Sequence, residues 1–277
     1  MKITKMHGAG NDFLLINNLK ENIPADKQPS LARTLCPRRL SFGADGLIFL
    51  DHSIGETDFS MRFYNSDGSA GEMCGNGARC LARFAFEEGV AGESMRFDTA
   101  AGSVDAWRLE KNSYRTRLQL PSIYRPVSIE IDSRSLHGYY VEVGEPGVPH
   151  FCLEFPELER INQNKLLDLA LTLRHHVSFP KGTNVNFYTF LSPTELLEKT
   201  FERGVEDFTL ACGSGSVAVV YSLMKSAKVE KDACVTLHVP GGQLQVDAQW
   251  KDDDITEIYL TGPVERVYDA TYSYQKK

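Results

Sequence analysis

Two cysteines in this chain each stand immediately before a Gly-x-Gly turn: Cys74-Gly75-Asn76-Gly77 and Cys212-Gly213-Ser214-Gly215. Apolar residues at helical spacing follow both, Leu81, Phe84 and Ala85 after the first, Val217, Val220, Leu223 and Met224 after the second. A thiol at a helix start is in a specific electrostatic setting. The first amides of a helix have no internal partner and the macrodipole places partial positive charge there, so thiolate is favoured over the free pKa of about 8.5. The glycines let a ligand approach the backbone, where the same amides can hold a carboxylate. One such turn serves a nucleophile, a phosphate cradle or nothing in particular. Two of them, flanking one bound anion, suit inversion at an acidic carbon: one thiolate removes a proton from one face while the opposite thiol delivers a proton to the other. The carbon beside an amino acid's carboxylate is a very weak acid, so such a site must also stabilise the carbanion, through amides aimed at the carboxylate and exclusion of water.

Two other readings use the same residues. Gly213-Ser214-Gly215-Ser216-Val217-Ala218 fits the GxGxxA fingerprint of dinucleotide binding after a strand-like stretch, Phe208-Thr209-Leu210-Ala211. Against it, no βαβ alternation surrounds the motif, and the partner turn Gly75-Asn76-Gly77-Ala78-Arg79-Cys80 breaks the pattern. A cysteine hydrolase with His150 as base leaves one cysteine without a task. Cys36, Cys80, Cys152 and Cys234 read as core. No CxxC, HxxxH or HExxH spacing occurs, so no metal is expected. No lysine stands in a recognisable pyridoxal-phosphate setting, so the reading needs no cofactor. Asn11, Asn65, Asn184, Glu202 and Arg203 sit at turns. They are turn formers and a surface ion pair, or, in a closed pocket, groups that would bind a carboxylate in fork geometry and hold an ammonium.

The elements that must position these residues come as a repeat. The two cysteines are 138 positions apart, and other short matches keep nearly that offset: Ala44–Ile48 with Gly182–Asn186, Phe63–Asn65 with Thr200–Glu202, Ala100–Gly102 with Pro240–Gly242. Matches in one order at one offset point to an internal duplication. Strands are predicted at 13–16, 46–50, 61–64, 139–143, 184–188 and 235–239. Helices are predicted from about Gly77 to Glu88, from about Gly215 to Lys225, and over Leu166–Val177 on the surface. The second is apolar nearly all round, which implies burial on every side. Each half therefore reads as many short strands around a buried helix, with breaks at Pro121 and Gly262-Pro263. The 277-residue length fits two domains. Thirty basic against thirty-seven acidic residues give a net charge of −7, which argues against nucleic acid or an anionic membrane as partner. No stretch approaches 18 apolar residues, and Met1–Gly8 lacks the apolar region of a signal peptide. A cytoplasmic protein with free thiols is expected.

At this point the chain resembles the diaminopimelate epimerase family. The motifs that carry the resemblance are Met6-His7-Gly8-Ala9-Gly10-Asn11-Asp12-Phe13, Asn65-Ser66-Asp67-Gly68, Met73-Cys74-Gly75-Asn76-Gly77-Ala78-Arg79, Pro149-His150, Gly182-Thr183-Asn184-Val185-Asn186-Phe187, Glu202-Arg203-Gly204-Val205 and Leu210-Ala211-Cys212-Gly213-Ser214-Gly215. The resemblance implies an α/β (α+β) fold of two pseudo-symmetric domains, each a mixed barrel-like β-sheet wrapped around a central buried helix. Residues 1–121 and 122–262 would form the domains, with the tail 263–277 returning to the first. It implies cofactor-independent interconversion of LL- and meso-diaminopimelate, a step toward lysine and peptidoglycan. Cys74 and Cys212 would be the acid/base pair, and the amides of Gly75, Asn76, Gly213 and Ser214 would receive the carboxylate. Asn11, Asn65, Asn184, Glu202 and Arg203 match positions that bind substrate, and His150 and Glu202 would help manage the thiol protons. Diaminopimelate is the implied partner, and a homodimer is compatible with the family. The chain departs from the common pattern at Val148, where Asn is frequent, at Gly46, where some members carry Gln, at Ser214 for Thr, and in a Glu202–Cys212 stretch one residue longer.

Overall fold

The computed structural model describes residues 1–53, 55–71, 73–131 and 134–273; residues 274–277 of the expected returning tail lie outside the described residues. The chain divides into two compact units, Met1–Thr116 with the chain from Gly262 onward, and Arg117–Thr261.

The first unit contains β1 (Lys2–Gly8), β2 (Asn11–Asn17), α1 (Asn18–Glu21), α2 (Gln28–Leu35), β3 (Gly46–Asp51), β4 (Phe59–Asn65), β5 (Ala70–Gly71), α3 (Gly75–Glu87), β6 (Ser94–Thr99) and β7 (Gly102–Glu110). Strand β8 (Ser113–Leu118) runs across the boundary. The second unit contains β9 (Pro121–Ile131), β10 (Arg134–Val143), β11 (Val148–Glu154), α4 (Gln163–Arg174), β12 (Asn184–Ser192), β13 (Glu195–Glu202), β14 (Asp207–Phe208), α5 (Gly213–Lys225), β15 (Val235–Val239) and β16 (Gly242–Lys251). Strand β17 (Asp254–Pro263) leads back, and β18 (Glu265–Thr271) pairs antiparallel with β1.

The duplication is visible strand by strand. β2 runs parallel to β3 with Phe13 opposite Gly46, and β11 runs parallel to β12 with His150 opposite Asn184. β3 and β4 pair antiparallel with Ile48 opposite Phe63, as β12 and β13 do with Asn186 opposite Thr200. A parallel step to β6, or to β15, follows in each unit.

Burial explains these elements. The runs Phe13-Leu14-Leu15-Ile16 and Leu47-Ile48-Phe49-Leu50 are continuously apolar because both faces are covered. Phe13, Leu15, Ile48 and Leu50 pack with α3, whereas Leu14, Ile16, Leu47 and Phe49 pack with α2. In the second unit Val185, Phe187 and Phe201 pack with α4. Helix α5 is the central one, with Val217, Ala218, Val219, Val220 and Leu223 all fully buried.

Helices α3 and α5 begin at Gly75 and Gly213, two residues earlier than predicted, so the glycine turns are the first helical turns and Cys74 and Cys212 are the N-caps. Glycine has poor helix propensity, but burial of these first turns outweighs it. The surface helix runs over Gln163–Arg174, three residues before the predicted span, because the Asn162 side chain accepts from the amides of Asn164 and Lys165 and caps it there. Of the expected stretch 208–211 only Phe208 is strand, as the end of β14. Cys36, Cys80 and Cys152 are core, but Cys234, also expected there, is exposed. Among the described residues no helix is long and apolar enough to cross a membrane.

Candidate active site

In the first unit the strand ends converge on the start of α3. Cys74 is in extended conformation at φ −137° and its thiol donates to Asn11 Oδ1 at 3.5 Å. The same oxygen accepts from Asn76 Nδ2 at 3.3 Å. Asn11 is held in this orientation because its Nδ2 donates to Asp45 Oδ2 at 2.7 Å. Asp45 in turn shares the Arg38 guanidinium with Asp12, which also receives Lys5 at 2.8 Å. Burial would raise the Asp12 pKa, yet Arg38 and Lys5 hold it below the usual carboxylate range.

Beneath this turn Arg79 is fully buried, with Nη2 donating to Asn76 Oδ1 at 2.6 Å and Nη1 to the Gly75 carbonyl at 3.4 Å. Burial pulls its pKa down to about 10, so it remains a cation at neutral pH. Sequence reasoning missed Arg79 because a charged residue one turn into a helix normally reads as surface.

In the second unit Cys212 is 8% exposed and its sulfur lies 3.6 Å from Ser214 Oγ. Ser214 Oγ is 3.1 Å from His150 Nε2, and His150 Nδ1 faces Asn186 Nδ2 at 3.2 Å. Asn186 Oδ1 accepts from Thr200 Oγ1 at 3.0 Å. Glu198 closes the chain, its Oε1 3.4 Å from Thr200 Oγ1 and its Oε2 accepting from Ser216 Oγ at 2.6 Å. His150, Asn186, Glu198 and Ser216 are all fully buried.

Charge states follow from that burial. His150 is pushed down to about 3 by desolvation, against the Asn186 bond that would raise it. It is neutral, with both ring nitrogens occupied, so it orients a hydroxyl and does not serve as the base a cysteine hydrolase would need. Glu198 is pushed up to about 7 by desolvation, against the bonds from Ser216 and Thr200. Cys212 is raised well above the free thiol value by desolvation and then by Glu202, which outweigh the Ser214 and Gly215 hydrogen bonds. The helix start alone led to the opposite expectation at this residue; the surrounding carboxylates and the dry environment reverse it.

The remaining predicted residues fall into two groups. Glu202 ends β13 and accepts from Thr209 Oγ1 at 2.6 Å. Asn184 is buried and spends its side chain on backbone, donating to the Pro149 carbonyl at 3.0 Å and accepting from the Arg203 amide at 2.8 Å. It therefore fixes where Arg203 begins. Asn65 is exposed at the end of β4 and donates to Ser69 Oγ at 3.0 Å within its own turn. Val148 is 39% exposed. At Gly46 a side chain would collide with the Phe63 ring, which also covers Gly71.

Asn186, Glu198, Thr200 and Ser216 were also missed. A signal existed: Asn184 and Asn186, and Glu198, Thr200 and Glu202, alternate along two strands, and alternation places polar residues on one face. Among the described residues no group of three or more His, Cys, Asp or Glu is arranged to hold a metal ion.

Known proteins resemble the chain closely. A family model described as diaminopimelate epimerase matches residues 3–116 and 143–267. The diaminopimelate epimerase of Aquifex aeolicus is 35% identical over 283 residues, covering 99% of this chain and 98% of that protein. That of Gloeothece citriformis is 36% identical, covering 98% and 99%. Among solved structures, a hydroxyproline epimerase from Agrobacterium vitis superposes with a TM-score of 0.73 at 16% identity, covering 98% and 91%. A PhzF-family phenazine biosynthesis protein from Bacillus anthracis superposes with a TM-score of 0.71 at 13% identity, covering 98% of each chain. At these identities the two structures speak for the fold alone.

Proposed function

The chain belongs to the diaminopimelate epimerase family, and from that premise we propose that Cys74 and Cys212 are the acid/base pair of its reaction. The protein is a cofactor-independent isomerase that interconverts LL- and meso-diaminopimelate. The observation that carries the residue assignment is the position of the two sulfurs. Each caps a pseudo-equivalent central helix, and each is within hydrogen-bond reach of an oriented polar side chain, Asn11 on one and Ser214 on the other.

The chemistry assigned to this pair balances simply. A thiolate takes the α-proton, so that a C–H bond breaks and an S–H bond forms while the electron pair stays on the carbon. The other thiol gives its proton to the opposite face, breaking S–H and forming C–H. The two sulfurs have then exchanged protonation states and reset through water. In this reading the first-turn amides at Gly75, Asn76, Gly213 and Ser214 hold the carboxylate at the reacting carbon, where they stabilise charge as it develops. Asn11, Asn65, Asn184, Glu202 and Arg203 grip the rest of the substrate, with Glu202 suited to an ammonium and Arg203 to a carboxylate. His150 contributes through Ser214. Small-molecule substrate alone, a cytoplasmic setting and a homodimer belong to the same reading.

Two experiments test it. Turnover in D2O should place deuterium at the α-carbon, and Cys74→Ala or Cys212→Ala should each lower interconversion by about 100-fold or more, the weight of one acid/base group. Interconversion that carries no solvent label, or that survives either substitution, sinks the two-thiol assignment.

A further inference from the structure

The duplication allows a comparison that a single domain would not. Register pairs His150 with Phe13, Asn186 with Ile48, Thr200 with Phe63 and Glu198 with Met61 as equivalent positions of the two units. Ser216 corresponds to Ala78 at the same place in its helix. In the first unit every one of these positions is apolar and belongs to or packs on the hydrophobic core. The fold is thus built equally well without polar groups there. Burying five of them beneath Cys212 is unfavourable unless each is satisfied, so the chain from Glu198 to Cys212 calls for an explanation outside folding.

We propose that Glu198 is a positioning residue for Cys212: its protonation state sets the direction of the hydrogen-bond chain through Thr200, Asn186, His150 and Ser214, and with it whether the Cys212 sulfur receives or gives a hydrogen bond. The inference rests on Cys212 being one of the two acid/base thiols. With Glu198 protonated, its O–H donates to Thr200, Thr200 donates to Asn186 Oδ1, and Asn186 Nδ2 donates to His150 Nδ1. His150 then carries its hydrogen on Nε2 and donates to Ser214, whose hydroxyl hydrogen points at a Cys212 thiolate. With Glu198 ionised, Thr200 donates to the carboxylate and the Asn186 amide turns over, its Nδ2 now serving Thr200. His150 then carries its hydrogen on Nδ1, Ser214 donates to Nε2, and the Cys212 thiol donates to Ser214. No proton crosses the amide, which switches by rotation. Glu198 exchanges its proton with water and Cys212 exchanges its own with substrate. The Asn186 orientation in the structure is that of the first arrangement.

Coulomb repulsion acts in the same sense, since a carboxylate beneath the helix opposes a thiolate above it. The other charged or titratable groups facing this cluster are Glu202 on β13, Cys152 on β11 and Arg203 beyond β13. Cys152 touches the chain from the side, its sulfur accepting from Asn186 Nδ2 at 4.0 Å. Burial brings the Glu198 carboxyl up to about 7, so the switch falls near neutral pH.

The test reads the resting protein and needs no turnover. In 15N-labelled protein, with the His150 signals identified by their loss in His150→Gln, the protonated nitrogen should change from Nε2 to Nδ1 as pH rises through the Glu198 titration. Glu198→Gln mimics the protonated acid and should keep Nε2–H throughout. In that variant the pH midpoint of Cys212 alkylation by iodoacetamide, followed by mass spectrometry, should fall by about one unit or more, the effect of removing a nearby like charge. Thr200→Val keeps the carboxylate but cuts the chain, and should abolish the tautomer change; it carries the test by itself should the Gln variant not fold. One unchanging His150 tautomer in the unsubstituted protein, or an unshifted Cys212 midpoint in Glu198→Gln, overturns the proposal. Failure of the two-thiol assignment would instead appear in the deuterium experiment, with these titrations intact.

Discussion

At the scale of single residues, the two halves place opposite demands on their thiols. Cys74 stands above a cation, Arg79, and an apolar layer of Ile48 and Met61. Cys212 stands above neutral His150 and the carboxyl of Glu198. These buried groups leave a pH signature in stability. The His150 pKa is depressed from 6.5 to about 3, so its contribution is present above pH 6.5 and lost as pH falls toward 3, by about 5 kcal/mol at the limit. The Glu198 pKa is raised from 4.5 to about 7, so its contribution is complete below pH 4.5 and lost as pH rises through 7, by about 3 kcal/mol. Urea unfolding as a function of pH checks both signs. His150→Gln should flatten the acid limb, and Glu198→Gln should match the unsubstituted protein near pH 4.5 yet exceed it above pH 7. A Glu198→Gln curve parallel to the unsubstituted one would show that this carboxyl does not titrate as described.

At the scale of elements, the glycine turns carry the asymmetry into the helices. A Cβ at Gly77 would meet the Ile48 and Met61 side-chain ends at 3.0 and 3.4 Å, which can give way. A Cβ at Gly215 would collide with Asn186 Oδ1 of the polar chain and sit 3.2 Å from Cys212 Cβ. Gly215→Ala should therefore displace both Asn186 and the Cys212 sulfur, costing on the order of 100-fold in kcat, as small misplacements at reacting groups do. Gly77→Ala should cost about 10-fold or less. Steady-state rates of the two variants decide it, and equal losses would mean that the layers beneath the two helices are equally compliant.

At the scale of the whole molecule, the chain closes its first unit with its last strand. β18 pairs with β1 from Lys2 opposite Thr271 to His7 opposite Glu265. Val264, just before it, is fully buried, its carbonyl accepts from Arg83 on α3, and its amide donates to the Asn112 carbonyl. Ending the chain before Val264 should bare the β1 edge, orphan the Arg83 donor and lower the melting midpoint by about 10 °C or more. Melting like that of the full chain would show that the first unit does not depend on β18.

The sequence by itself determined the two Cys-Gly-x-Gly helix starts, the duplication, the class of each half and the family, because these are written in local spacing: Cys-Gly-x-Gly before an apolar helix, and one offset repeated along the chain. Asn11 was legible for the same reason, as part of a contiguous motif. What only the tertiary structure decided is what lies under each thiol. Arg79 reads as an ordinary helix-surface charge, and Glu198 and Thr200 as the polar face of a strand, yet all three are buried. Whether a side chain is solvated or dry is set by neighbours distant in sequence. That difference, and not the residue type, makes His150 a neutral donor, brings Glu198 to the edge of ionisation and raises Cys212 where its helix start alone would have lowered it.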